Sequence, residues 1–371
     1  MKAKAAGFRF VAVVYLLTAG STWGKVICVD DDAPTGGDGT SWATAYRFLQ
    51  DALTNTEVAG EAVEIRVAQG TYTPDRSAAK PQGGTGAGAR YFLLTDGVSL
   101  LGGYAGLAGE DPSARDIRSY QTILSGDLLG NDAPVTDASM LTNEPTRDDN
   151  SEVIMLDCGE VRLEGCTITG GGYGGLRVAG MPSSPDSTVR ISDCTLKGNR
   201  HPVAEWLAAG AANVSALVDV VFERCSFVGN AGFYGAMHGV GYGHEIVLDD
   251  CEFARNYARG LGGGAADLDQ STITNCVFTE NRAYASGGAL ILSGISGINH
   301  VANCVFRGNR ANWGGAILCD GHSDVRDCLF VGNEAAVGGG AGQCISNPYV
   351  TVSNCVLAGN RAGQQGGAWG A

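Results

Sequence analysis

From residue 166 onward the chain repeats one short phrase of apolar and polar positions. Cysteines at 166, 194, 225, 251, 276, 304, 328 and 355 open it, recurring every 24 to 31 residues. A Phe, Leu or Ile follows two places after each Cys. In all but the first phrase an Asn stands three places further on, as in Cys276-Val-Phe278-Thr-Glu-Asn281. A small-residue turn such as Gly287-Gly288-Ala289 comes next, then an apolar run such as Leu290-Ile291-Leu292, then a third run such as Val350-Thr351-Val352 before the following Cys. Alternation with period two over three to five residues marks strands, and the period leaves no room for an ordinary helix. Repetition at this length marks a solenoid. Three short strands in a turn of about 27 residues predict an all-β fold, a right-handed parallel β-helix whose coils pair about 4.8 Å apart.

The repeated residues acquire roles in such a stack. Alternation turns Cys194, Cys225, Cys251, Cys276, Cys304, Cys328 and Cys355 inward with the Phe or Leu two places later, as small buried hydrophobes. Side chains in register on parallel strands point alongside one another, which is poor bridging geometry, so free thiols are expected. Cys28, Cys158, Cys319 and Cys344 lie outside the phrase, the last two at equivalent inward places. Asn199, Asn230, Asn256, Asn281, Asn309, Asn333 and Asn360 are expected to take the left-handed conformation and to form an amide ladder along the stack.

Residues 25–150 read as a cap and opening coils with loop insertions, and 151–371 as the repetitive coils. Thr40 or Ser41 is placed to cap a helix over 42–53, whose stripe of Trp42, Tyr46, Leu49 and Leu53 would close the core. Strands are expected at Val63–Val67 and Val98–Leu101, with a Gly-rich loop at 74–90 and polar insertions at 104–119 and 129–150. Residues 1–24 carry Lys2, Lys4 and Arg9 ahead of the apolar run Phe10–Leu17, a secretory leader pattern too short to span a membrane. At the other end the last coil stops at Gly366-Gly367-Ala368-Trp369 without a cap, which leads to the expectation that the natural chain continues further.

Composition narrows the function. There are 57 Gly, 17% charged residues, and 25 basic against 39 acidic side chains, a net charge of −14. That excludes a generic nucleic-acid surface and an anionic-membrane binder. A hydrophobic share of 44% excludes disorder. The mature chain is expected to be secreted or held at a cell surface, without a transmembrane segment.

The tandem C-x-F-x-x-N followed by Gly-Gly-Ala, together with Gly39-Thr-Ser-Trp42, Gly70-Thr71-Tyr72 and Leu124-Ser-Gly-Asp127, resembles the repeats of the chlamydial polymorphic outer membrane proteins. It also resembles bacterial β-helix proteins of the pectin-lyase-like superfamily. The resemblance implies a secreted or surface-displayed solenoid, a scaffold that carries lyases, hydrolases, esterases and adhesins alike. The leading expectation is a non-enzymatic protein for adhesion, surface structure or glycan binding, with a polysaccharide or a surface protein as partner. The alternative is a calcium-dependent polysaccharide lyase or a glycan hydrolase. Ca²⁺ enters only under that alternative, and no other cofactor or metal is expected.

Candidate chemistry follows from which side chains leave the strand after Gly-Gly-Ala. One outward column reads Arg177, His238, Asp267, Ile291, Leu318, Gln343, and a second contains Asp269, Ser293 and Asp320. His238, Asp267, Asp269 and Asp320 are the candidate catalytic group. Tyr234, Tyr257, Tyr284 and Trp313, on successive turns between Asn and Gly-Gly, are candidate ligand-binding aromatics. Asp249-Asp250 reads as a turn, and Asp30-Asp31-Asp32 as a solvated charge run.

Overall fold

The structure is a computed structural model. It describes residues 24–370 apart from 57–61, 84–90, 148, 158, 182–183, 185, 203–207, 216, 295–296, 346–348 and 365. Most of the leader pattern, the tip of the Gly-rich loop, Cys158 and Ala371 lie outside the described residues. One coil shows the plan: Ser271–Thr274 enters a first sheet, Val277–Thr279 a second, Arg282–Ala283 a third and Leu290–Ser293 a fourth. Among the described residues the first sheet has eleven strands, the second and fourth ten each, and the third six. Strands inside each sheet pair in parallel with their counterparts one coil before and after, as Asp267 does with His238 and Ile291. The protein is an all-β, right-handed parallel β-helix with an N-terminal helix ahead of the repeats. Eleven stacked strands give a first sheet about 48 Å long.

The third sheet adds a strip to the three strands per coil expected from sequence. It begins at the residue after each ladder Asn, from Ala231 to Arg361. The ladder fixes neighbouring backbones at strand spacing, so the next residues fall into register despite weak strand propensity.

Inside the stack, Phe227, Phe253, Phe278, Phe306 and Phe330 lie face over face, with centroids 4.3–5.1 Å apart and planes within 13°. The phrase thiols sit beside them, buried except for the half-buried Cys355, and are free. Each donates to main-chain carbonyls. Cys276 Sγ lies 3.1 Å from Thr274 O and 3.6 Å from Leu248 O in the preceding coil. Burial in this apolar setting pushes the thiols of Cys166 and Cys225 well above their ordinary range.

At the corner between the second and third sheets each Asn side chain reaches along the axis. The Asn281 backbone N–H donates to Asn309 Oδ1 at 3.0 Å, and its Nδ2 donates to the same oxygen and to Phe253 O. Its own Oδ1 accepts from the backbone N–H and Nδ2 of Asn256. This arrangement runs from Asn199 through Asn230, Asn256, Asn281, Asn309 and Asn333 to Asn360. The left-handed residue is not the Asn, as the sequence suggests, but the one before it: Gly229 (φ 62), Arg255 (φ 54), Glu280 (φ 55), Gly308 (φ 63). The Asn must keep its N–H aimed up the stack, so the corner's reversal falls on its neighbour. A second corner, just before each Cys, is made by Asp193, Arg224, Asp250, Asn275, Asn303, Asp327 and Asn354, all with φ between 49 and 58. Asp250 is therefore a turn residue, and Asp249 accepts from Thr274 Oγ1 and Asn275 Nδ2.

The N-terminal helix is shorter and later than its apolar stripe suggests. Trp42–Thr44 forms a single 3-10 turn, Tyr46 bridges to Val29, and the α-helix spans Leu49–Thr56. Neither Thr40 nor Ser41 caps it; both hydroxyls bond Thr44 instead. Exchange of hydrogen bonds between Tyr46 and the strand Lys25–Val29 overrides helical propensity over 45–46. Leu49, Ala52 and Leu53 nevertheless close the core against Ile27, Val29 and Val63. The insertion 129–150 folds back onto the third sheet, where Ala138 and Leu141 pack on Ala231.

Replacing Asn281 by Ala orphans the buried N–H of Asn256 and takes one of the two acceptors from its Nδ2, which keeps Phe227 O. At about 1–3 kcal/mol for a buried unsatisfied group, Asn281→Ala is expected to cost about 1–3 kcal/mol. Exposed Val277→Thr on the same coil is expected to change stability by less than about 0.5 kcal/mol. Denaturant midpoints measure both, and equal small losses would contradict a structural ladder.

Candidate functional site

The fourth sheet presents its outer face between the small-residue turn and the loop leading to the next coil. Its register runs Arg177, Asn213, His238, Asp267, Ile291, Leu318, Gln343 across neighbouring strands. Two residues along each strand, Val240, Asp269, Ser293 and Asp320 form the parallel column. Met237, Leu268 and Leu292 point the opposite way into the core. The structure thus brings His238 beside Asp267, with Asp269 and Asp320 in the adjoining column.

Their surroundings differ sharply. His238 is 9% exposed, and Tyr234 lies over it with ring centroids 4.3 Å apart. Its Nδ1 has no hydrogen-bond partner. Burial pushes its pKa down to about 4, so the imidazole is neutral near pH 7. Asp267 is pushed the other way, up to about 7. Burial is the main cause, and the charges of Asp269 and Asp320 add to it. A hydrogen bond from Ser293 Oγ at 3.2 Å offsets part of the rise. Burial and the neighbouring Asp267 also raise the Tyr234 phenol. Asp269 is only 3% exposed, whereas Asp320 is open to solvent. The result is a carboxyl half protonated near neutrality between a neutral imidazole and further carboxylates, a setting suited to proton transfer.

Arg177 stands apart. The strand Ala212–Ser215 puts it three strands from Asp267 rather than two, and its guanidinium holds Glu152 through two bonds of 2.7 and 2.8 Å. Sequence missed that strand because its turn reads Ala209-Gly210-Ala211 instead of Gly-Gly-Ala, and it missed Glu152 because no repeat marks the residue. Tyr234 belongs with His238 rather than with the aromatic row. Tyr257, Tyr284 and Trp313 remain along the third sheet, Tyr284 68% and Trp313 38% exposed.

Among the described residues one acidic group, Asp30-Asp31-Asp32, brings three carboxylates close together. It is not a solvated run. Asp30 is buried and accepts from the N–H groups of Asp32 and Leu107, and Asp31 accepts from Thr71 N–H, which ties the first coils to their loops.

Residues 184–357 match the family described as a right handed beta helix region. No curated protein matches the chain. The solved structures similar to it include two of the pectin methylesterase from Aspergillus niger. The deglycosylated form has 13% identity over 92% of this chain and 88% of that one, with a TM-score of 0.35. The form carrying an N-acetylglucosamine stub has 12% identity over the same shares, with a TM-score of 0.39. The finer resemblance to the chlamydial polymorphic membrane proteins gains no support from these matches.

The opposed shifts of His238 and Asp267 have an observable consequence. His238 binds its proton less readily folded than unfolded, so it contributes a rise in stability with pH between about 4 and 6.5. Asp267 holds its proton more tightly folded than unfolded, so it contributes a fall between about 4 and 7. The two nearly cancel over the shared window. Asp267→Asn is expected to unmask the rise and to raise stability at pH 8, and His238→Gln to unmask the fall. Denaturation followed from pH 4 to 8 checks this, and identical pH slopes in both variants and the parent would contradict it.

Proposed function

We propose that this chain cleaves a carbohydrate polymer by hydrolysis across the outer face of its fourth sheet. Asp267 is the general acid, and Asp269 or Asp320 is the carboxylate that activates water. The observation that carries this reading is the placing of Asp267 beside His238 with Asp269 and Asp320 in the adjoining column, where burial and those neighbouring charges push its carboxyl up to about 7. Glycoside hydrolysis needs that asymmetry, one carboxyl protonated to give its proton to the leaving oxygen and one ionised on the other side. Spacing favours Asp269 as that carboxylate: it lies two residues from Asp267 on one strand, about 6.6 Å between Cα atoms, whereas Asp320, two strands beyond Asp269, lies about 12 Å from Asp267. Carboxyl separations in glycosidases run from about 5 to 9.5 Å. Neutral His238, braced by Tyr234, supplies a polar edge without a competing charge. A chain acting on glycan polymers would work outside the cell, in keeping with the leader pattern of residues 1–24.

A non-catalytic surface protein for adhesion or glycan binding is the second reading, favoured by the exposure of Tyr284 and Trp313.

The test is to incubate the purified chain with neutral and acidic polysaccharides, with and without Ca²⁺, and to follow reducing ends and unsaturated products. Reducing ends without unsaturation, lost by about a hundredfold or more in Asp267→Asn, are expected. Either Asp269→Asn or Asp320→Asn should match that loss and identify the base. Calcium-dependent unsaturated products would replace hydrolysis with elimination. Binding without turnover would favour the second reading.

A further inference from the structure

We infer that the third sheet carries a second site, a cleft for an anionic glycan chain, on a different face from Asp267 and independent of any turnover there. The insertion 129–150 supplies one wall through Thr136–Ala138, and the floor is Tyr257, Arg282 and Arg310 on three successive coils. This hollow of about 460 Å³ shares its floor with a second of about 280 Å³ that runs on to Tyr284 and Asn312. The two form one trough along the solenoid axis.

Its chemistry is that of sugar-acid recognition. Tyr257 and Tyr284 offer ring faces, and the Arg282 guanidinium lies over Tyr257, 6.0 Å from its centroid. Asn312 spends its Nδ2 on Tyr284 O at 2.8 Å. Arg282 and Arg310 are register partners with Cα atoms about 4.8 Å apart, so two like-charged side chains leave neighbouring strands where one anion can reach both. Arg255 brings a third guanidinium to the lining of the cleft, and Asp137 and Glu280 bring two carboxylates.

The existing ion pairs leave the guanidiniums available. Arg282 reaches Asp137 only at 3.7 Å and Arg310 reaches Glu334 at 3.2 Å, and all four side chains are more than half exposed, where such pairs contribute little. Asp137 is already engaged by the N–H and Oγ of Ser139. An arginine fork binds a carboxylate or sulfate through paired N–H groups more strongly than these contacts do. In a chain of net charge −14 this concentration of arginine around one aromatic trough is the place where a polyanion is accommodated. Coil spacing close to the length of one pyranose residue lets successive sugars meet successive coils.

Affinity electrophoresis and calorimetry with polygalacturonate, dextran sulfate and neutral dextran test the assignment, using the parent, Arg282→Ala, Arg310→Ala, Tyr284→Ala and Asp267→Asn. Binding to polygalacturonate or dextran sulfate but not to dextran is expected, and which of the two is retained separates carboxylate from sulfate as the recognised group. Each Arg variant is expected to weaken it about tenfold and salt to weaken it further. Tyr284→Ala should weaken it as well, with circular dichroism unchanged. Asp267→Asn should bind like the parent, so failure at the fourth sheet and failure at this cleft are read separately. Equal binding of dextran, no binding of either polyanion, or parent-like affinity in the Arg282→Ala/Arg310→Ala double variant would overturn the inference.

Discussion

Every coil depends on the one beneath it being in register, and the Asn ladder is what enforces that register. A strand of three or four residues has little pairing of its own and little intrinsic preference for one alignment. A buried amide that gives two hydrogen bonds to one neighbour and takes two from the other fits only when the coils align residue for residue. Slip by one position would leave a row of polar groups unsatisfied in the core. The phenylalanine stack then follows, since aligned coils put identical side chains over each other at strand spacing.

Register also creates the chemistry. On an isolated strand Asp267 would be an ordinary surface carboxylate. Stacking places it between His238 and Ile291, with Asp269 and Asp320 in the next column, so its charge is poorly solvated and meets like charges. The same stacking lines up Tyr257, Arg282 and Arg310 on the third sheet, where the insertion 129–150 turns a flat strip into a trough. Repetition builds the scaffold, and departures from it (His238, Asp267, the insertion) supply what is particular to this protein.

Much of this was legible in the sequence because a solenoid writes its contacts as periodicity. Cys276, Phe278 and Asn281 announce their places through their counterparts in neighbouring coils, and the pairing of His238 with Asp267 follows from counting after Gly-Gly-Ala. What was hidden is what does not repeat. Glu152 holding Arg177, the strand Ala212–Ser215 between Arg177 and His238, and the folding of 129–150 onto Ala231 are tertiary contacts without a periodic signal. The helix was misplaced for a related reason: the stripe from Trp42 to Leu53 is real, but Tyr46 pairs with the strand Lys25–Val29, which propensity does not register. Raised and lowered pKa values were legible only as a cluster of titratable types, since burial is their main cause and burial is a property of the stack.

The most direct measurement is the titration of the Asp267 carboxyl itself, by carbon NMR of protein labelled at aspartate side-chain carboxyls, with the resonance assigned by its loss in Asp267→Asn. The stacked, desolvated environment predicts a midpoint near 7. A midpoint near 4, the value of a solvated aspartate, would contradict the register-built site on which the functional account rests.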